Sequence, residues 1–281
     1  MPATPTYAQR RLGNELRGMR TDAALSMDAV ANLCDWSESK VSRMENAKVA
    51  VSRHDIHAFA LACGASSDRI ARLESLLTDS RGVRWWAEYA DILISSYEEF
   101  ISLEAQASDI YVAHASIVPG LLQSRSYAHA VITSSPLVPD PENAESLVEI
   151  RVRRQQILTG DHPVNLVAVI NAAVLHCEIG GLDSLREQLA HLVDLGDMAN
   201  VDIHVVPFSS DVSAYVGGIT LFDFPGDYDP SVVYVEYQGG ADFKESDRDI
   251  RRYRRNFEYI KNGALSLEAS RKAIITRLDE L

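Results

Sequence analysis

The chain is 281 residues long, enough for about two domains at roughly 150 residues each. Hydrophobic residues make up 46% and charged residues 24%, which excludes a mostly disordered chain and supplies material for a sizeable core. The formal net charge of −13, from 27 Lys and Arg against 40 Asp and Glu, argues against a non-specific nucleic-acid binder, because such proteins need surplus cations to displace counterions from phosphate.

That charge is uneven. Met1 to Gly64 carries eight cations and seven anions, whereas Ala65 to Leu281 carries 19 cations and 33 anions, so the two parts are judged separately. No run of about 18 apolar residues offers a membrane span. Met1 to Tyr7 lacks an apolar signal core, and the expectation is a cytoplasmic protein without membrane contact. Cys34, Cys63 and Cys177 show no C-x-x-C spacing and read as reduced, buried thiols.

In chain order, the first 64 residues read as short helices only. Arg10 to Arg20 sets Leu12, Leu16 and Met19 on one stripe. Ser26 caps a second helix running through Leu33, and Ser37 caps a third running to about Asn46, each through a hydroxyl that accepts an otherwise unpaired amide proton. A fourth carries Ile56, Phe59, Ala60 and Cys63 and stops at Gly64. Residues 65–82 read as a helical linker, with Ile70, Leu73, Leu76 and Leu77 on one side. From residue 83 to 281 the pattern becomes mixed. Helices are expected over Trp85 to Asp109 and Ser124 to Ser134, with Pro119-Gly120 a turn between them. Another is expected from Pro141, capped by Asp140, to about Thr159. Val164 to Ile170 reads as a buried strand, Leu182 to Ala199 as an amphipathic helix. Three strands follow, Val201 to Val206, Ile219 to Phe224 and Val232 to Glu236, the last two joined by the turn Pro225-Gly226-Asp227. Helices Asp247 to Asn262 and Leu267 to Leu281 close the chain. The fold class is an all-α N-terminal unit followed by a larger α+β domain.

The segment from Ser26 to Asn46 carries the chemistry. Two short helices separated by Cys34-Asp35-Trp36 have helix-turn-helix spacing, in which the second helix projects into a DNA major groove. At 100° per residue, Glu38, Ser39, Ser42, Arg43 and Asn46 share one polar arc, opposite Val41 and Met44, with Lys40 at the edge. Arg43 can pair bidentately with guanine, Ser39 can donate or accept, and Glu38 can accept from cytosine. Lys40, Lys48 and Arg53 can hold phosphates. The plainer reading is that any amphipathic surface helix has a polar arc.

The strings L-G-N-E-L-R-G-M-R and W-S-E-S-K-V-S-R-M-E-N, within residues 9 to 64, resemble the XRE-type helix-turn-helix domains of phage repressors and bacterial regulators, a lambda-repressor-like fold. The resemblance implies that Glu38, Ser39, Ser42 and Arg43 face the groove and that Arg20 and Glu45 form a structural pair; Asn46, at the end of the polar arc, and Met27 are further phosphate-contact candidates. The family often has Gln at the first position of the second helix, touching phosphate, where this chain has Met27. The family's glycine before that helix is Ala24 here, and its turn glycine is Asp35. From about Trp85 onward, W-W-A-E-Y-A-D, V-P-G-L-L-Q-S-R-S-Y-A-H-A-V-I, R-V-R-R-Q-Q-I-L-T and A-L-S-L-E-A-S-R resemble a C-terminal domain of actinobacterial, antitoxin-like transcriptional regulators, often encoded beside a small partner protein. N-A-A-V-L-H-C near Asn171 departs from it, because the family commonly shows an acidic pair there.

The expectation is a non-enzymatic, sequence-specific DNA-binding regulator, a homodimer on double-stranded DNA bearing an inverted repeat, with a C-terminal domain for dimerisation and partner or signal binding. One alternative is an antitoxin-like protein that sequesters a small, basic protein encoded next door, and another is a small-molecule-responsive regulator. No cofactor motif is present and no metal is expected, since His176-Cys177-Glu178 lacks a second ligand cluster. Ser37-x-x-Lys40 matches the spacing of serine acyl enzymes without their K-T-G or S-D-N partners. The basic runs Arg151 to Arg154 and Arg248 to Arg255 are expected to pair with nearby carboxylates or a partner, a second nucleic-acid surface being the alternative.

Overall fold

Apolar spacing and serine caps build five helices in the first part of the chain. In the computed structural model, which describes residues 7–81, 85–135, 141–226, 229–237 and 240–281, α1 spans Tyr7–Asp22 and buries Leu12, Leu16 and Met19. Helix α2 (Met27–Cys34) begins at Ser26, whose Oγ accepts from the Ala29 amide at 3.0 Å. It ends at Asp35, which takes a left-handed conformation with φ 55°. Helix α3 (Glu38–Glu45) begins at Ser37, whose Oγ accepts from the Lys40 amide at 3.2 Å. A reciprocal box between Ser52 and Asp55 opens α4 (Arg53–Ala62), satisfying two amide donors at once.

The residues expected as a linker form α5 (Ser67–Arg81). Its Leu73, Leu76 and Leu77 join the same core as Leu16, Val41, Met44, Ile56 and Phe59. The helix is therefore part of this helical unit, because its apolar stripe finds a partner there. Each such side chain contributes roughly 1.5–3 kcal/mol on full burial. Helix α1 crosses the end of α3 at Gly13, where a Cβ would lie 2.6 Å from the Glu45 carbonyl oxygen and 3.0 Å from that of Met44. The chain divides into two compact units, Met1–Glu88 with Pro225–Pro230, and Tyr89–Phe224 with Ser231–Leu281.

The second unit is α+β. The helix expected over Trp85 to Asp109 is instead a 3-10 turn (Trp85–Tyr89), α6 (Ser95–Glu104) and a strand, β1 (Asp109–His114). In β1 Ile110 and Ala113 are fully buried on opposite faces of the sheet. So short an apolar run, covered on both sides, shows no alternation that separates strand from helix. Helix α7 spans Arg125–Ser134. The helix expected from Pro141 resolves into a 3-10 turn (Pro141–Asn143), α8 (Ala144–Arg154) and a second 3-10 turn (Gln155–Leu158). Asp140, its expected cap, lies outside the described residues, as does Asp227 of the expected turn. Then follow β2 (Asn165–Asn171), α9 (Leu182–Leu195), β3 (Val201–Val206), β4 (Ile219–Asp223), β5 (Val232–Tyr237), β6 (Gly240–Lys244), α10 (Asp247–Asn262) and α11 (Leu267–Asp279). Strand β6 was not expected, because Gly240-Ala241-Asp242-Phe243-Lys244 holds a single large apolar residue. Phe243 secures it by pairing opposite Tyr234, with ring centroids 5.1 Å apart.

The six strands lie in the order β3-β2-β1-β4-β5-β6. The pairs β1–β2 and β2–β3 are parallel, and β1–β4, β4–β5 and β5–β6 are antiparallel. Both parallel crossovers carry helices, α7 and α8 after β1 and α9 after β2, as parallel neighbours require. On one face Phe257 and Ile260 of α10 pack against Ala113, Val169, Leu221 and Val233. On the other, Phe100 of α6 meets Phe222 and Tyr234 at centroid distances of 5.4 and 4.5 Å. Among the described residues no helix is long and apolar enough to cross a membrane.

Candidate nucleic-acid interface

The connection between α2 and α3 is three residues, Asp35 to Ser37. Its geometry is set by Asp35 in the left-handed region and by the Trp36 amide, which donates back to the Ala31 carbonyl at 2.8 Å. Trp36 packs against the helical core, and the Lys40 ammonium sits 3.9 Å from its ring centroid. Helix α3 is thereby held by one apolar face, with Val41 and Met44 fully buried. Glu38, Ser39, Arg43 and Asn46 are exposed and Ser42 is half-buried. The structure thus places the four expected base-facing residues on one solvent-facing side of α3. Arg43 makes one local bond, from Nε to the Ser39 carbonyl at 3.2 Å.

Arg20 and Glu45 meet bidentately, Nε to Oε1 at 2.6 Å and Nη2 to Oε2 at 2.8 Å. The Glu45 side chain is 2% exposed. Arg20 Nη1 also donates to the Leu25 carbonyl at 3.0 Å. One guanidinium therefore ties the end of α1 to the entry of α2 and the end of α3. Planar fork geometry suits this task, which a lysine could not do.

The residues expected at phosphates divide. Lys40 is bound by Asp55 at 2.6 Å. Burial works to raise the Asp55 carboxyl, and the bonds from Lys40 and Ser52 overcome it, leaving the group below the ordinary carboxylate range. Arg53 is held bidentately by Glu74, at 2.6 and 2.9 Å. Both cations are thus neutralised within the protein, by acids on other helices. Lys48 is exposed, and among the described residues no carboxylate lies within 4.0 Å of it or of Arg43. The Met27 side chain packs against the core, so this position offers phosphate only the backbone N–H groups of the first turn of α2, which lack intrahelical partners. Asn46 is engaged twice, donating to the Ser42 carbonyl at 2.7 Å and accepting from Arg17 Nη2 at 2.9 Å.

Arg17 went unremarked in the sequence. It is exposed, lies beside the C-terminal end of α3, and adds a cation there. Its signal was the spacing of three from Arg20, which puts both arginines on one side of α1.

Elsewhere the flagged residues have structural roles. Ser37 and Lys40 are spent on a helix cap and an ion pair. Asn171 accepts from the Ala173 amide at 2.9 Å and donates to Ser213 Oγ at 2.8 Å. The three cysteines are free and half-buried. Burial raises the Cys34 thiol and pushes that of Cys63 up to about 11, which disfavours the thiolate at both. Arg154 pairs with Glu104 and Arg254 with Asp223. Arg248, Arg251 and Arg255 are exposed, with no carboxylate within 4.0 Å among the described residues. Among those residues no cluster of three His, Cys, Asp or Glu could hold a metal ion.

Residues 11–73 match the family model of a helix-turn-helix domain, and residues 97–276 match that of a domain of unknown function (DUF5753). Comparison with curated proteins and with solved structures gives no match.

Proposed function

Because the chain belongs to the family defined by the domain of unknown function DUF5753, and carries a helix-turn-helix domain ahead of it, we propose that it is a sequence-specific, DNA-binding transcriptional regulator. The observation that carries this reading is α3 itself, whose exposed Glu38, Ser39 and Arg43 stand over a fully buried Val41 and Met44. A bidentate Arg43–guanine contact discriminates against other bases by roughly 1–3 kcal/mol. One eight-residue helix reads few base pairs, so useful specificity calls for two copies on an inverted repeat, one helical turn apart. The α+β domain supplies dimerisation and receives the signal, and the protein acts in the cytoplasm without catalysing a reaction. An electrophoretic shift series with DNA from upstream of its own gene tests this. A band retarded at low salt and lost in Arg43→Ala is expected. No band, or the same band from both proteins, overturns the reading.

A second, compatible reading is antitoxin-like. The region from Ala65 onward holds 33 anions against 19 cations, which suits capture of a small basic protein encoded by a neighbouring gene. Co-elution of the two on size exclusion at micromolar concentration is expected, and separate elution rules this reading out.

A further inference from the structure

A cavity of about 90 Å³ lies in the second unit, between the sheet and helices α6 and α8. His114, the last residue of β1, lines it. There the strand order turns, with parallel β2 on one side of β1 and antiparallel β4 on the other. The sheet lines it with apolar Ile110, Val112 and Leu166 and with polar His114, Thr220 and Glu236, and Phe100 lines it from α6.

Two arginines of α8 line this cavity, and they differ. Arg154 is buried with Glu104, two bonds of 2.6 Å joining them, and it also donates to the Tyr97 hydroxyl. That pair cancels its own charge. Arg151, one turn earlier, donates from Nη1 to Gln123 at 3.0 Å. Its Nε is buried without a hydrogen-bond partner, and no carboxylate lies within 4.0 Å of it among the described residues. Across the cavity His114 Nε2 is 3.5 Å from the Glu236 carboxylate, and its Nδ1 is buried and unbonded. An N–H of a guanidinium buried without a partner is costly, and the Glu236 carboxyl, held below the ordinary range first by His114 and less by Arg151 and Arg154, acts on Arg151 only at longer range.

We propose that this cavity binds a small organic monocarboxylate, with the carboxylate on the Arg151 guanidinium and its hydrocarbon part against Ile110, Val112 and Phe100. Guanidinium forks match carboxylates bidentately. Mostly apolar walls with a few convergent polar groups are the usual make-up of a small-molecule site. The cavity sets the size, since about 10–15 Å³ of such space holds one water. The acid has on the order of six to nine heavy atoms.

Isothermal titration calorimetry of the full chain tests this without DNA, so its outcome is independent of the DNA-binding reading. The probes are hexanoate and benzoate, with hexanamide and benzamide as uncharged isosteres. At least one acid is expected to bind saturably and ten-fold or more tighter than its amide. Arg151→Gln, checked for folding by thermal unfolding, is expected to erase that preference. Val112→Phe, which fills the cavity, is expected to abolish binding of acid and amide alike. No binding by either acid, equal affinity for acid and amide in the unaltered protein, or acid binding unchanged in Arg151→Gln overturns the proposal.

Discussion

Removing the Arg20 guanidinium would leave Glu45 buried with its main charge partner gone and the Leu25 carbonyl without this donor. Breaking such a pair from one side typically costs about 3–5 kcal/mol, whereas replacing both partners by apolar residues is often neutral. Arg20→Ala is therefore expected to lower stability in urea denaturation by about 3 kcal/mol, somewhat moderated by Arg17, whose Nε lies 3.6 Å from Glu45. The double variant Arg20→Met with Glu45→Leu is expected to regain most of that loss. A double variant as unstable as the single would show that the pair's charge itself is required. Glu74 offers a pH-dependent counterpart. The bonds from Arg53 and His57 hold its carboxyl down to about 2 from the ordinary 4.5. Its contribution is fully present above about pH 4.5 and is lost as pH falls toward 2. Glu74→Gln is expected to flatten the stability profile across that window, and a carboxyl titration by NMR with a midpoint near 4.5 would refute the assignment.

The five helices are held at a few backbone positions that tolerate little change. A methyl at Gly13 meets carbonyl oxygens of α3, and backbone cannot rotate away as a side chain can. Gly13→Ala should therefore destabilise by about 1–3 kcal/mol, against the gain of roughly 1 kcal/mol that alanine normally brings to a helix. Ala24, at φ 54°, presents the opposite case. A left-handed alanine costs roughly 1–2 kcal/mol, and glycine returns about half of that as unfolded-chain entropy. Ala24→Gly is expected to raise the thermal midpoint slightly, and a lower midpoint would contradict the strain argument. At this scale the sequence was readable wherever the cause was local. Ser26 and Ser37 announce α2 and α3, and the alternation of Val41 and Met44 with polar neighbours announces the exposed face. What stayed hidden has partners far along the chain. Lys40 and Arg53 read as free cations because Asp55 and Glu74 lie on other helices. Strand β1 read as helix because both its faces are covered, one by α6 just before it and the other by α10 far along the chain, and β6 stayed hidden because its pairing rests on one aromatic residue.

For the molecule as a whole, the −13 net charge fixes how DNA affinity should respond to salt. With Lys40 and Arg53 already paired, few cations are left to displace counterions, so the fall of log K with log salt should be shallow. Lys48→Ala is expected to weaken binding to all sequences alike and to reduce the salt slope by about 1 per protomer contact. Loss of sequence preference in that variant, with the slope unchanged, would instead place Lys48 at a base. The sheet has a different consequence, one of timing. The first unit needs mostly near-neighbour contacts among its helices, but Asp109 of β1 pairs with Asp223 of β4, more than a hundred residues later. At about 5–20 residues per second of synthesis, one edge of β1 stays open on the order of ten seconds after it leaves the ribosome. A chain cut short before β4 leaves β1 as a permanently open edge strand of the β3-β2-β1 sheet, a template for pairing with other chains. Fragments ending near Pro207 should accumulate as aggregates, while chains that include β4 and β5 remain in solution.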